Sequence, residues 1–346
     1  MTQSTRRSAD DGDRKAPVIL VATRDTVVRL LPGDDVLRPV EGMDEQSPTC
    51  LATTPGGGEA AWCGTSDAGV YRSDDGGMVW RPAGLDGEHI TALRADPTRE
   101  GIVWAGTEPS AVWRGSWDPV GEADVKWERR EGLLELPSSV DWSFPPRPET
   151  HHVRWIACHP VEGGRLWVAI EAGALIWTED GGATWHDRVE GSPRDTHELA
   201  IHPERPDLLR IAAGDGYFES FDGGRRWRAP MDGLEVGYLR SVAVSPDDPH
   251  TIVVSAASKA RSAYAAFRAD GRLYRREGNA AWTRVLQGWP EPPETIAPLL
   301  FADAPRGRIL AADERGVHES VDGGVRWTRL GRFVDAPAWL RGLAVL

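Results

Sequence analysis

The sequence predicts an all-β fold, a seven-bladed β-propeller whose C-terminal strand completes the N-terminal blade. Three observations predict it. First, the phrase Ser/Thr-x-Asp-Gly-Gly-x-x-Trp occurs four times, as SDDGGMVW (73–80), TEDGGATW (178–185), SFDGGRRW (220–227) and SVDGGVRW (320–327). Second, two looser copies, GSWDPVGEADVKW ending at Trp127 and RREGNAAW ending at Trp282, set the phrase-final tryptophans 42 to 58 residues apart. That is the length of a four-stranded propeller blade with variable loops. Third, the two ends of the chain hold complementary parts of one such unit.

Residues 1–15 are polar and charged and are expected to form a disordered tail ahead of a propeller over 16–346. VILVATRDTVVRLL (18–31) reads as the middle strands of a unit that lacks its first strand. Each later unit repeats one order. A first strand ends in a turn, as in IACHPVEGG, LAIHPERPD and VAVSPDDPH. A second runs into a Gly-containing loop, as in IVWAGTEPS, LWVAIEAG and RILAADERG. A third, such as GVYRS, GYFES or GVHES, leads into the repeated phrase, whose Trp opens a fourth. The short alternating or continuous apolar runs suit strands, and no long segment has a helical period. The chain ends in LRGLAVL (340–346), matching LRSVAV (239–244), which opens another unit. Pairing it with 18–31 closes the ring and removes the free edges.

Composition narrows the function. The net charge of −13 excludes a nucleic-acid or anionic-membrane partner, which would need a basic footprint. Of 40 basic residues only Lys15, Lys126 and Lys259 are lysines, so a single Arg carries little weight. The start of the chain does not read as a signal peptide, and no apolar run is long enough to span a membrane. Cys50, Cys63 and Cys158 are few and lack C-x-x-C spacing, which predicts reduced thiols and a cytoplasmic location.

The repeated phrase resembles the Asp-box, or BNR repeat, of sialidases, sortilin-type receptors and related propellers. The resemblance covers six of the seven units and implies a structural turn. The box aspartates (Asp75, Asp180, Asp222, Asp322) would accept turn amides, the glycines would take φ > 0, and the Trp would cover the hairpin. The boxes are therefore not expected to be the active site.

Chemistry is expected instead at the face formed by loops entering the first strands and joining the second strands to the third. Aligning the first strands on their apolar cores puts Thr49, Thr91, Arg154, His197, Arg240 and Arg341 at one opening position. His89, His152, Asp195, Tyr238 and Trp339 fall two residues earlier, on the same side of an ideal strand. Four of the nine histidines (His89, His151, His152, His197) thus share one rim. The second-to-third loops add Asp25, Asp67, Glu108, Glu171, Asp215, Asp313 and Glu314. Two insertions, 131–152 and 255–271, are expected to roof the same face. These residues compose a candidate site. Arg154, Arg240 and Arg341 would bind a small anionic molecule. His151, Tyr238 and Glu171 would serve as catalytic groups. His89, His152, His197 and Asp195 would hold a divalent transition metal such as Zn, Fe or Cu.

Three functional classes follow. The first is a small-molecule enzyme or binding protein using this pocket, with or without a metal. The second is a non-catalytic scaffold for a protein partner, similar to the seven-bladed photosystem II assembly factor. The third is a sialidase-type hydrolase, which the box resemblance implies. There Tyr238 and Glu235 would imitate the nucleophile pair, but the family's Phe/Tyr-Arg-Ile-Pro motif is absent, and VVRLLPGD (27–34) lacks its pattern.

Overall fold

The computed structural model describes residues 17–54, 58–119, 124–293 and 295–346, so the expected tail lies outside the described residues. Seven antiparallel sheets form seven blades. Blade one is completed by the C-terminal strand Leu340–Val345, which pairs with Ile19–Thr23 in the register Ile19↔Val345, Val21↔Leu343. Blades two to seven follow in chain order. Their innermost strands are Pro48–Thr53, His89–Ala95, Val153–Cys158, Thr196–His202, Tyr238–Ser245 and Leu299–Asp303. Each innermost strand touches that of the next blade, and Leu340–Val345 touches those of blades seven and two, closing the ring. In blades four and five the fourth strand is reduced to single bridges, Trp177↔His186 and Glu219↔Arg228.

The packing explains the apolar runs. Ile19–Thr23, Ala61–Thr65 and Leu166–Ile170 are buried on both faces, because each sheet is sandwiched between two others. Among the described residues seven of the eight apolar clusters sit one per blade interface, and the eighth, Ala257 with Ala263 and Ala297, lies at the 255–271 insertion. Trp62 with Ile90 and Val103 joins blades two and three, and Trp167 with Leu209 and Ile211 joins blades four and five. Leu20 with Trp80 joins blades one and two, and Leu343 with Leu310 joins blades one and seven. Burying such a side chain contributes roughly 1.5–3 kcal/mol. Stability is therefore spread around the ring rather than held in one centre.

The repeated phrase forms a hydrogen-bonded clasp. In the last copy, Asp322 Oδ1 accepts from the Ser320 hydroxyl (2.8 Å), the Val325 amide (3.1 Å) and the Arg326 amide (2.9 Å). Ser320 Oγ accepts from the Gly324 amide (2.8 Å), and the Trp327 indole donates to the Gly324 carbonyl (3.1 Å). Gly323 and Gly324 both have positive φ (67° and 90°), which a side chain would strain. Asp75, Asp180 and Asp222 make the same amide contacts. Asp322→Ala should lower unfolding stability by about 1–3 kcal/mol, through the loss of three hydrogen bonds, and leave ligand affinity unchanged. Denaturant titration together with ligand calorimetry checks both halves.

Candidate functional site

The opening position of six innermost strands is a β-bulge. In blade two the ladder pairs Pro48 with Thr65 and Cys50 with Gly64, leaving Thr49 out of register. The same skip leaves out Thr91, Arg154, His197, Arg240 and Arg341. Blade seven pairs without a shift. A bulge re-aims the extra side chain, and here it does so at the same position in six blades around the ring.

Four of the six are spent on the ring itself. Thr49 donates to the Ile90 carbonyl and Thr91 to that of Val153, so each side chain ties its blade to the next. His197 lies with Nδ1 2.6 Å from the Leu239 carbonyl, which makes Nδ1 the protonated nitrogen. Arg240, only 2% exposed, donates to the carbonyls of Ala297 (2.7 Å) and Leu340 (2.6 Å) beneath the Tyr264 ring. The guanidinium expected to grip an anion is occupied by main chain. Arg154 and Arg341 depart from this pattern.

Arg154 Nε lies 3.1 Å from Glu171 Oε2, which also meets His152 Nε2 at 2.9 Å. Burial opposes ionisation of Glu171, but the His152 hydrogen bond and the Arg154 charge outweigh it and push its pKa down to about 2. Beside it, Glu108 takes both arms of Arg147 (3.0 and 2.6 Å), with His89 Nδ1 3.7 Å and His152 Nδ1 3.9 Å away. His152 Nδ1 is buried and has no hydrogen-bond partner among the described residues.

On the other side of Glu171, Asp195 Oδ1 accepts from the Ala172 amide (3.1 Å) and lies 3.8 Å from His197 Nε2. A Cβ at Gly214 would sit 1.9 Å from Asp195 Oδ2, so the absence of a side chain there makes room for the carboxylate. Ligand atoms of Glu171, Asp195 and His197 all lie within 4.8 Å of one another. Burial, reinforced by Arg154 and opposed by Glu171 and Asp195, lowers the His197 pKa, so its ring is neutral. The Tyr238 hydroxyl stands 3.4 Å from His197 Nε2 and 3.5 Å from the Tyr264 hydroxyl. Burial raises the Tyr238 pKa, so it remains a hydroxyl.

The expected residues therefore divide. Glu171, His152 and Arg154 meet, Asp195, His197 and Tyr238 meet beside them, and His89 joins through Glu108. His151 is set apart, its ring edge-on to Trp142 at 5.7 Å within the 131–152 insertion. Arg341 is exposed, lies 5.3 Å from the Trp339 ring, and pairs with no carboxylate among the described residues. Partial burial and the charge of Arg154, with smaller effects from Arg24 and Arg147, lower its pKa against the pull of Tyr264. The nucleophile pair that a sialidase would need is not formed, because Glu235 reaches Arg272 (3.5 Å) and Arg284 (3.8 Å) while Tyr238 faces His197.

Three contributors escaped the sequence reading. Arg147 and Tyr264 come from the two insertions, where no internal pattern marks one residue above another. Glu198 lies in the channel wall, bonded to the Ser241 hydroxyl, and burial raises its pKa to about 7. Its signal was a lone acid within the apolar strand HELAIHP. Below it the channel opens into a cavity of about 430 Å³ lined by Leu93, Trp155, Leu199, Val242 and Leu300.

No family model matches the chain. The oligoxyloglucan-reducing end-specific xyloglucanase of Emericella nidulans is 32% identical over 111 residues, 28% of this chain and 14% of that protein. Among solved structures, the GH74 xyloglucanase of Xanthomonas campestris superposes with a TM-score of 0.67 at 16% identity, covering 96% of this chain and 52% of its own. The GH74 enzyme of Niastella koreensis gives 0.70 at 14% identity, covering 91% and 52%. YCF48 bound to D1 peptide gives 0.57 at 16% identity, covering 94% and 87%. The chain spans about half the length of the two GH74 proteins and a smaller part of the curated one. At these identities the likeness to the solved structures is one of fold: an all-β, seven-bladed propeller with xyloglucanase and YCF48 neighbours.

Proposed function

We propose that the mouth of the channel binds a ligand bearing a carboxylate or phosphate, held by Arg341 with Arg154 behind it. One observation carries this reading: Arg341 is exposed at the mouth without a carboxylate partner among the described residues, in a chain of net charge −13. With acids in such excess, an Arg left unpaired among other cationic groups favours an anion from solution. Trp339, stacked on Tyr264 at 6.1 Å, supplies an apolar wall beside it. We also infer a reducing compartment, since Cys50, Cys63 and Cys158 are all unpaired.

Calorimetric titration with a panel of small carboxylates and phosphates tests the proposal. At least one should bind, and Arg341→Gln should weaken it by about tenfold or more, the loss of a charge-assisted contact of roughly 1.5–3 kcal/mol. Melting temperature should not change, because Arg341 ties no blade to another. Unchanged affinity in Arg341→Gln would remove the assignment.

A second reading is favoured by the length match to YCF48, whose solved complex holds a peptide. The anionic group would then belong to a protein segment docked on the same rim. Binding of acidic or free-carboxylate peptides, with no affinity for the small anions, would select this reading.

A further inference from the structure

We infer that Glu171, Asp195 and His197 form a binding site for a divalent transition-metal ion. The geometry begins with the bulge at His197. Its Nδ1 is committed to the Leu239 carbonyl at 2.6 Å, which leaves Nε2 as the nitrogen able to ligate. Metal-ligating histidines usually donate their other ring N–H to a carbonyl or carboxylate, as His197 does to Leu239. The ring is 1% exposed, and the nearest donor to Nε2 is the Tyr238 hydroxyl, at 3.4 Å.

Two carboxylates converge on that nitrogen. Arg154 and His152 both approach Oε2 of Glu171, leaving Oε1 without a hydrogen bond among the described residues. The Ala172 amide takes Oδ1 of Asp195, leaving Oδ2 likewise. The three groups offer one ligand atom each within 4.8 Å of one another, and no hydrogen bond links Glu171 to Asp195 or His197 among the described residues. Arg154 and His152 offset the charge on Glu171, and an ion would offset that on Asp195. Two carboxylates and one imidazole suit Zn²⁺ or Mn²⁺ better than Ca²⁺, which prefers oxygen alone. The Asp195 side chain is 33% exposed and gives the ion a path from solvent. The set differs from the histidine-rich one expected from sequence, because His89 lies at Glu108 and His152 spends its Nε2 on Glu171 Oε2. The metal site touches the proposed anion site through the Arg154–Glu171 contact, but Arg341 takes no part in it.

The test is a titration of the chelator-treated full chain with Zn²⁺ alone, followed by calorimetry and by melting temperature. One ion should bind per chain, and the melting temperature should rise with its concentration. Asp195→Asn, which can still accept the Ala172 amide, should weaken binding by at least about tenfold, as should Glu171→Gln. His89→Ala should bind as the wild type does. No binding up to about 1 mM, equal affinity in Asp195→Asn, or loss of binding in His89→Ala would each overturn the site. An Arg341→Gln protein that binds Zn²⁺ normally but no anion would separate the two assignments.

Discussion

A chain lacking residues 340–346 should fail to give a soluble protein with a cooperative unfolding transition. The segment supplies the innermost strand of blade one, and its removal strips five ladder pairs from Ile19–Thr23. All five residues of that strand are buried, so the freed edge would be apolar as well as unpaired, the combination that templates aggregation. Leu340, Leu343 and Val345 also leave the cluster shared with blade seven, and Arg240 loses the Leu340 carbonyl. At roughly 1.5–3 kcal/mol per large apolar side chain, these losses approach the 5–15 kcal/mol that hold a typical domain folded. Expression of the truncated chain and thermal unfolding followed by circular dichroism measure the effect. A soluble protein melting within a few degrees of the full chain would show that the ring does not depend on this closure.

That closure was legible in the sequence because it rests on a repeat. LRGLAVL and LRSVAV are alike because both are innermost strands, and the missing first strand of 18–31 left one place for the former. The site was less legible, for a physical reason. Placing His152 beside Arg154 assumed ideal alternation, whereas six of the seven first strands, this one included, carry one extra residue at that point. The skip is set by the register against the neighbouring strand, and no one residue type marks all six positions. The alignment still collected the right residues, since all six bulges fall at the same opening position. What it could not show was how each is used: Thr49, Thr91, His197 and Arg240 reach the next blade's carbonyls, and Arg341 reaches none. Partner choice depends on loop geometry, as with Glu108, drawn to Arg147 from an insertion that has no counterpart in the other blades.

Glu219 shows the same limit inside a blade and leads to the second large effect. In GYFES it occupies the place held by Arg72 in GVYRS and Glu319 in GVHES, and nothing in the pattern sets it apart. The structure buries it completely among three guanidiniums. Arg210 lies 3.1 Å and Arg228 2.7 Å from its carboxylate, Arg276 bonds to the same group, and the Tyr217 hydroxyl donates at 2.9 Å. Arg210 and Arg276 are themselves nearly inaccessible, at 2% and 3% exposed. Glu219→Ala would leave two buried cations uncompensated, and removing one partner of such a network costs about 3–5 kcal/mol. Glu219→Gln keeps the shape and an acceptor for Tyr217 but not the charge, so it should be destabilised nearly as much. The melting temperature of either variant should fall by roughly 5–10 °C. Adding Arg276→Met to Glu219→Met should recover part of the loss, because the second change removes a stranded charge, and the non-additivity measures the coupling. If Glu219→Ala unfolded at the wild-type denaturant concentration, the buried charges would have to be compensated by water, and the interface between blades five and six would be looser than its packing implies.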